Sequence, residues 1–174
     1  MADQAQAQLK WEGKASANLT GPTADQVWPL LEDFFSIHKW LPACDICERV
    51  EGVSGQPGCI RYTAGNSISS GTATGEETVS WAKEKLVAID SKERWFSYEV
   101  TENNIGFNSY VATIKVFPLK DDVEDEGEHG CEIEWSFVTD PIEGWALESL
   151  LSYIHSSLQV MAKRMEEALQ PKDK

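Results

Sequence analysis

Apolar side chains recur every three or four residues through the last part of the chain, from Pro141 to Gln170. They are Leu147, Leu150, Leu151, Ile154, Leu158, Met161, Met165 and Leu169. This spacing places them on one face of an α-helix, with Pro141 suited to its start and Pro171 just beyond its end. A helix of this length spans roughly 40 Å. No other segment predicts a long helix, so this one must share a core with the rest of the chain.

Most of the remaining chain alternates apolar and polar residues, which is the pattern of half-buried β-strands. Seven strands are predicted, over residues 9–19, 46–53, 58–63, 78–89, 94–101, 106–117 and 131–139. Between the first two, Thr23 and Gln26 predict a capping box for a short helix that runs to Phe35. Ser36 is expected to cap a second short helix, 37–41, which Pro42 ends. Because short turns join the other strands, we expect them to be antiparallel neighbours.

The sequence therefore predicts an α+β fold of the helix-grip type. A curved, seven-stranded antiparallel sheet would close around the long C-terminal helix, with two short helices between strands 1 and 2. One domain would cover residues 8–170, with 1–7 and 171–174 as frayed ends. A cavity can remain where the helix and the sheet do not fully meet. A loop rich in Gly, Ser and Thr (64–75) and an acidic loop (121–130) would lie on the surface.

Charge and composition exclude several classes of function. The formal net charge of -14 over 174 residues opposes binding to nucleic acid or anionic membranes. No run of about 18 apolar residues is present, so no membrane span is predicted, and the polar N-terminus favours a cytoplasmic protein. The sequence contains no Ser-His-Asp set, phosphate cradle or dinucleotide motif.

The four cysteines offer one short motif, the C-x-x-C of Cys44 and Cys47. Such a pair serves either as a redox couple or as half of a zinc site. There is no second C-x-x-C and no H-x-x-x-H, and His38, His129 and His155 are scattered. We therefore expect reduced, partly buried thiols and no metal site.

Two charged residues fall on strand faces that we expect to point inward. Glu84 shares a face with Ala82 and Leu86, and a buried carboxylate is a candidate general acid or base. Arg61, on the neighbouring strand, could pair with it or bind an oxyanion. The alternatives are a strand glutamate exposed to solvent or in a structural pair, and a surface arginine.

Tyr110 is in register with Ala112 and Ile114, so its hydroxyl can donate into a cavity; a core tyrosine bonded to the backbone is the alternative. Apolar residues on the inward faces would bind the ligand. They are Phe96, Tyr98, Val100, Ala112, Trp135, Phe137, Ile154 and Leu158.

Several stretches resemble the plant lachrymatory factor synthase family, part of the larger Bet v 1-like, START-like and polyketide-cyclase-like (SRPBCC) group of helix-grip proteins. They are KWEGK (10–14), HK (38–39), CERVEG (47–52), GCIRY (58–62), WAKEKLVAID (81–90), WSF (135–137) and IEG (142–144). The synthase rearranges an alkenyl sulfenic acid into a thial S-oxide. The resemblance implies that Arg61 and Tyr110 bind the sulfenate oxygen while Glu84 moves protons, without a cofactor.

The chain departs from that family in the loop 64–75, which is longer, and at Ser80, where an aromatic residue is expected. Abscisic acid receptors share the fold, and Lys39 and residues 70–73 would correspond to their pocket lysine and gate. Three functions follow: a cofactor-independent isomerase or cyclase, a carrier of a small apolar metabolite or lipid, and a ligand-gated partner of another protein. The partner common to all three is a small apolar ligand.

Overall fold

The computed structural model describes residues 10–66, 79–119 and 130–170. The elements follow the predicted order of one strand, two short helices, six strands and a long helix. They are β1 (Trp11–Thr20), α1 (Ala24–Glu32), a 3-10 helix (Phe34–Lys39), β2 (Ile46–Glu51), β3 (Ile60–Asn66), β4 (Val79–Asp90), β5 (Trp95–Asn103), β6 (Val111–Pro118), β7 (Gly130–Thr139) and α2 (Leu147–Leu169).

The seven strands form one antiparallel sheet in the order β1-β7-β6-β5-β4-β3-β2. From β2 to β7, each strand is a neighbour of the next one along the chain. Strand β1 is not a neighbour of β2 and pairs with β7 along its full length. The pairing between β1 and β7 runs from Trp11 opposite Thr139 to Thr20 opposite Gly130. The sheet and the long C-terminal helix confirm the predicted helix-grip fold.

Helix α2 buries one face against the sheet, as the spacing of its apolar residues predicted. The buried residues are Leu150, Ile154, Ser157, Leu158, Met161, Ala162 and Met165. The predicted start of this helix at Pro141 is wrong, because α2 begins at Leu147. Gly144 has φ +87°, a left-handed conformation that a right-handed helix cannot contain. Residues 142–145 instead form a turn in which the Trp145 amide donates to the Ile142 carbonyl over 3.0 Å.

The helix lies close to the edge strand β1, and a glycine allows this approach. A Cβ at Gly13 would overlap the side chains of Leu151 and Phe137. Further along, Gln159 Nε2 donates to the Ser16 carbonyl over 2.9 Å. With α2 held beside β1, the inward faces of β3, β4 and β5 are left farther from the helix, and space remains between them.

The short elements between β1 and β2 differ from the prediction in their bounds. The Thr23–Gln26 capping box is confirmed, with the Gln26 amide donating to Thr23 Oγ1 over 3.2 Å and the Thr23 amide to Gln26 Oε1 over 2.9 Å. Helix α1 ends at Glu32 rather than Phe35. Ser36 does not cap the second helix, because it lies inside the 3-10 helix and donates its hydroxyl to Asp33.

Two strand bounds matter for the site. Strand β3 continues to Asn66, past the predicted end at residue 63. Strand β6 begins at Val111 instead of residue 106, because Asn103 Oδ1 accepts the backbone amides of Ile105, Gly106 and Phe107 and holds that segment in a turn. The loop 64–75 beyond Asn66, the receptor-like gate 70–73, most of the acidic loop 121–130 and both predicted frayed ends lie outside the described residues. Within the described part, no helix is long and apolar enough to cross a membrane.

Candidate functional site

A cavity of about 160 Å³ lies between the sheet and the first half of α2. Its apolar wall is built mainly from bulky side chains, among them Leu41, Phe107, Trp135, Trp145, Leu150 and Ile154. Its polar groups include Cys44, Arg61, Thr63, Glu84, Tyr98, Tyr110 and Tyr153. The space therefore suits a small molecule that is mostly apolar and has a polar group for these side chains to bind.

Arg61 and Glu84 form an ion pair on the cavity wall. They stand directly opposite each other on β3 and β4, and opposite residues of an antiparallel pair point to the same face of a sheet. Arg61 Nε donates to Glu84 Oε1 over 2.7 Å, with the two side chains 2% and 14% exposed. The sequence left this pairing open as one possibility for Arg61, and the two side chains are paired in the structure, with the carboxylate as the less buried partner.

The rest of the Arg61 guanidinium is also held by the protein. Its Nη1 donates to the Phe34 carbonyl over 2.8 Å. The Phe34 ring covers one face at 3.8 Å from Cζ, and the Tyr98 ring lies at 5.2 Å, within the range of cation–π attraction. Burial alone would lower the pKa of Arg61, but Glu84, together with Tyr98 and Cys47, more than offsets this and raises it. The guanidinium therefore stays charged.

Tyr110 lies at the end of the turn that precedes β6, after Ser109 with φ +58°. Its ring stacks on Phe137 with centroids 6.0 Å apart and contacts Phe107 at 4.6 Å. Burial raises the pKa of Tyr110, and the nearby carboxylate of Glu84 adds to the rise. The phenol therefore remains protonated and can serve as a hydrogen-bond donor.

Cys44 also lines the cavity, and its thiol is protonated. Its Sγ donates to the Ile46 carbonyl over 3.2 Å. Burial raises the pKa of Cys44 to about 12, with Cys47 and Glu84 adding to the rise, and burial also raises the pKa of Cys47. All four cysteines are free thiols. Because the thiolate is the reactive form, Cys44 is a poor nucleophile here.

The structure brings the three predicted catalytic residues, Arg61, Glu84 and Tyr110, to the wall of one cavity. Three of the predicted ligand-binding residues also line it; they are Tyr98, Trp135 and Ile154. The other five pack in or against the core and do not line the cavity; they are Phe96, Val100, Ala112, Phe137 and Leu158. Strand alternation predicts which face a residue shares, but it does not predict how far along that face the cavity extends.

Some lining residues escaped the sequence prediction. Thr63 and Leu150 lie on faces that had been identified, and extending those faces would have found them. Phe107 and Trp145 lie outside the helices and strands. The predicted strand 106–117 put Phe107 on the face opposite Tyr110, and no periodic pattern indicates an inward side chain for Trp145. Lys39, which the receptor comparison placed in the pocket, is exposed at the end of the 3-10 helix and is not part of the cavity wall.

The sequence matches a protein family model over nearly its whole length. The model described as "polyketide cyclase / dehydrase and lipid transport" matches residues 15–170. This range includes all seven strands except the first residues of β1, both helices and every residue of the cavity wall.

Solved structures share the fold at low sequence identity. The protein XoxI from Bacillus cereus is 23% identical, with a TM-score of 0.67 over 90% of this chain and 94% of its own. A protein from Thermobifida fusca is 23% identical, with a TM-score of 0.66 over 93% and 97%. Ginseng major latex-like protein 151 from Panax ginseng is 20% identical, with a TM-score of 0.63 over 92% and 99%. These similarities establish the fold. Any inference about the chemistry must come from the residues that line the cavity.

Proposed function

Since the chain belongs to the polyketide cyclase/dehydrase and lipid transport family, we propose that its cavity binds a small, mainly apolar molecule. The protein then isomerises this molecule by proton transfer. The observation that carries the proposal is that Arg61, Glu84 and Tyr110 line one mainly apolar cavity. The specific reaction we propose is of the lachrymatory factor synthase type, in which an alkenyl sulfenic acid becomes a thial S-oxide.

This reaction moves one proton and needs no oxidant or reductant. The sulfenic O–H proton leaves, a lone pair of sulfur becomes the carbon–sulfur π bond, and the carbon–carbon π pair forms a new C–H bond to a proton at the alkene carbon farther from sulfur. A carboxylate that takes the first proton and returns it to carbon completes the step. Glu84 is suited to this role, because Oε1 holds Arg61 while Oε2 accepts no hydrogen bond from the described residues.

Arg61 and Tyr110 would stabilise the oxygen as it loses its proton. Arg61 Nη2 makes no hydrogen bond to the described residues, whereas Nε and Nη1 are both engaged. The Tyr110 phenol supplies a second donor from the same cavity wall. Fixed donors in a site of low polarity stabilise developing negative charge strongly, because they need no reorganisation during the reaction.

The size of the cavity supports a small substrate. Its volume of about 160 Å³ is close to that of an apolar cavity of about 150 Å³ known to hold benzene. Pockets for drug-sized ligands usually measure about 300–1,000 Å³. A sulfenic acid of a few carbons fits this limit better than a long acyl chain does.

The test is to supply the protein with a freshly generated 1-alkenyl sulfenic acid in D₂O and to analyse the product by gas chromatography and mass spectrometry. We expect a thial S-oxide with one deuterium on the carbon next to the thial carbon. Glu84→Gln should lower the rate by about 100-fold or more, since it removes the proton carrier. Glu102→Gln, which changes a side chain that is 62% exposed, is the matched control and should stay active. Absence of the product with the unchanged protein would refute the proposal.

The second candidate is a carrier that binds a small apolar molecule without converting it. The mainly apolar wall and the lipid transport in the family description support it. For a carrier, Glu84→Gln should leave the affinity for an apolar probe such as toluene nearly unchanged, and no product should form from the sulfenic acid. A ligand-dependent change in affinity for a protein partner, measured by pull-down with and without ligand, would favour the receptor-like function instead.

A further inference from the structure

The charges on the cavity wall compensate each other. Among the described residues that line the cavity, Arg61 is the one cationic side chain and Glu84 the one anionic side chain. They are in direct contact at 2.7 Å, so the wall as a whole is neutral. A charged ligand would lose its hydration on entry without meeting an uncompensated opposite charge, which is unfavourable.

Part of the Arg61 guanidinium is also already used within the protein. An arginine binds a carboxylate with two parallel N–H bonds, either through Nε and Nη2 or through Nη1 and Nη2. Here Nε donates to Glu84 and Nη1 donates to the Phe34 carbonyl. The Nε–H of the first pair is therefore already used by Glu84. The N–H groups that make no hydrogen bond to the described residues are the two of Nη2 and the second one of Nη1, and they can donate to an acceptor oxygen of a ligand.

We propose that the cavity selects uncharged ligands, binding a small neutral molecule through one acceptor oxygen and discriminating against ionised carboxylates of the same size. This inference rests on the proposed binding function and adds the charge state of the ligand. It agrees with a sulfenic acid that enters in its protonated form and gives up the proton only inside the cavity. It also disfavours fatty-acid anions as cargo, independently of their length.

Benzamide and benzoate test the inference, because they have nearly the same shape and differ in charge at neutral pH. Titration calorimetry should show that the unchanged protein binds benzamide at least about tenfold more tightly than benzoate. Glu84→Gln keeps the shape of the side chain and leaves the Arg61 charge uncompensated. This variant should reverse the preference, so that benzoate binds at least as tightly as benzamide.

Glu102→Gln is again the matched control, since it makes the same change in net charge at an exposed position and should keep the preference for benzamide. Benzoate binding as tightly as benzamide to the unchanged protein would overturn the inference, as would binding of neither. A folded Glu84→Gln variant that still prefers benzamide would overturn it as well. If that variant does not fold, the relative affinity of the unchanged protein for benzamide and benzoate decides whether the inference holds.

The outcome is separate from that of the isomerisation assay. Selectivity for benzamide without thial S-oxide formation would support the neutral cavity and refute the proposed reaction. Formation of the thial S-oxide together with equal binding of benzamide and benzoate would support the proposed reaction and refute the selection of uncharged ligands.

Discussion

Arg61 and Glu84 should be energetically coupled, and a double-mutant cycle measures this coupling. Arg61→Met leaves the Glu84 carboxylate unpaired, and Glu84→Met leaves a guanidinium that is 2% exposed without its counter-ion. Removing one member of a buried ion pair costs about 3–5 kcal/mol. Because Glu84 keeps 14% exposure toward the cavity, we expect the lower value, about 3 kcal/mol, for each single change.

The double variant should cost less than the two single changes together. It loses the contact with the Phe34 ring and the hydrogen bond to the Phe34 carbonyl, but it leaves no unpaired charge. Replacing both members of a buried pair with apolar residues is often neutral or stabilising. With a cost of no more than about 3 kcal/mol for the double variant, the coupling energy is at least about 3 kcal/mol.

Urea unfolding followed by far-UV circular dichroism gives the four free energies of unfolding that the cycle requires. The surface pair of Lys83 and Glu102, 3.4 Å apart with side chains 35% and 62% exposed, is the control cycle. Its coupling should stay below about 1 kcal/mol. A coupling of the same size for both pairs would refute our reasoning, since it would mean that the Arg61–Glu84 pair is as solvated as a surface pair.

Two further predictions concern packing and titration. Gly13→Ala should lower the free energy of unfolding by about 1–3 kcal/mol, since its Cβ would overlap Leu151 and Phe137; an unchanged urea midpoint would contradict the close helix–strand contact. Burial raises the pKa of Cys44 from 9.0 to about 12, so the unfolded chain loses this proton first and stability should fall as the pH rises between these values. Cys44→Ala should lessen the fall between about pH 8 and 10, before unfolded tyrosines titrate; the same slope in both proteins would show that Cys44 does not contribute.

The fold could be predicted because its two main signals are local. The spacing of Leu150, Ile154 and Leu158 indicates one buried helix face, and all three are buried. Alternation along the strands likewise placed Arg61 and Glu84 on inward faces, and the possibility that they pair followed from β3 and β4 being neighbours. These inferences need only the periods of helix and strand, which short-range sterics determine.

The misplaced bounds depend on features that periodicity does not contain. Whether Gly144 adopts a positive φ is decided by how the chain must enter α2, and Pro141 alone was compatible with an earlier start. The turn before Tyr110 depends on the three amides that Asn103 accepts. The extent of the cavity depends on where α2 crosses the sheet, which close contact at Gly13 helps to determine. These are contacts between residues far apart in the chain.

The coincidence of an ion pair and a cavity argues that this part of the core is shaped for function rather than stability. Apolar residues in place of a buried ion pair often leave a protein equally stable or more so, so stability does not require Arg61 and Glu84. A space of about 160 Å³ that side chains do not fill is a second departure from the close packing usual in protein interiors. The ion pair and this space occur at the same place, beside a protonated Tyr110. A ligand that fills the space and bonds to these groups would add contacts that the side chains alone do not make there.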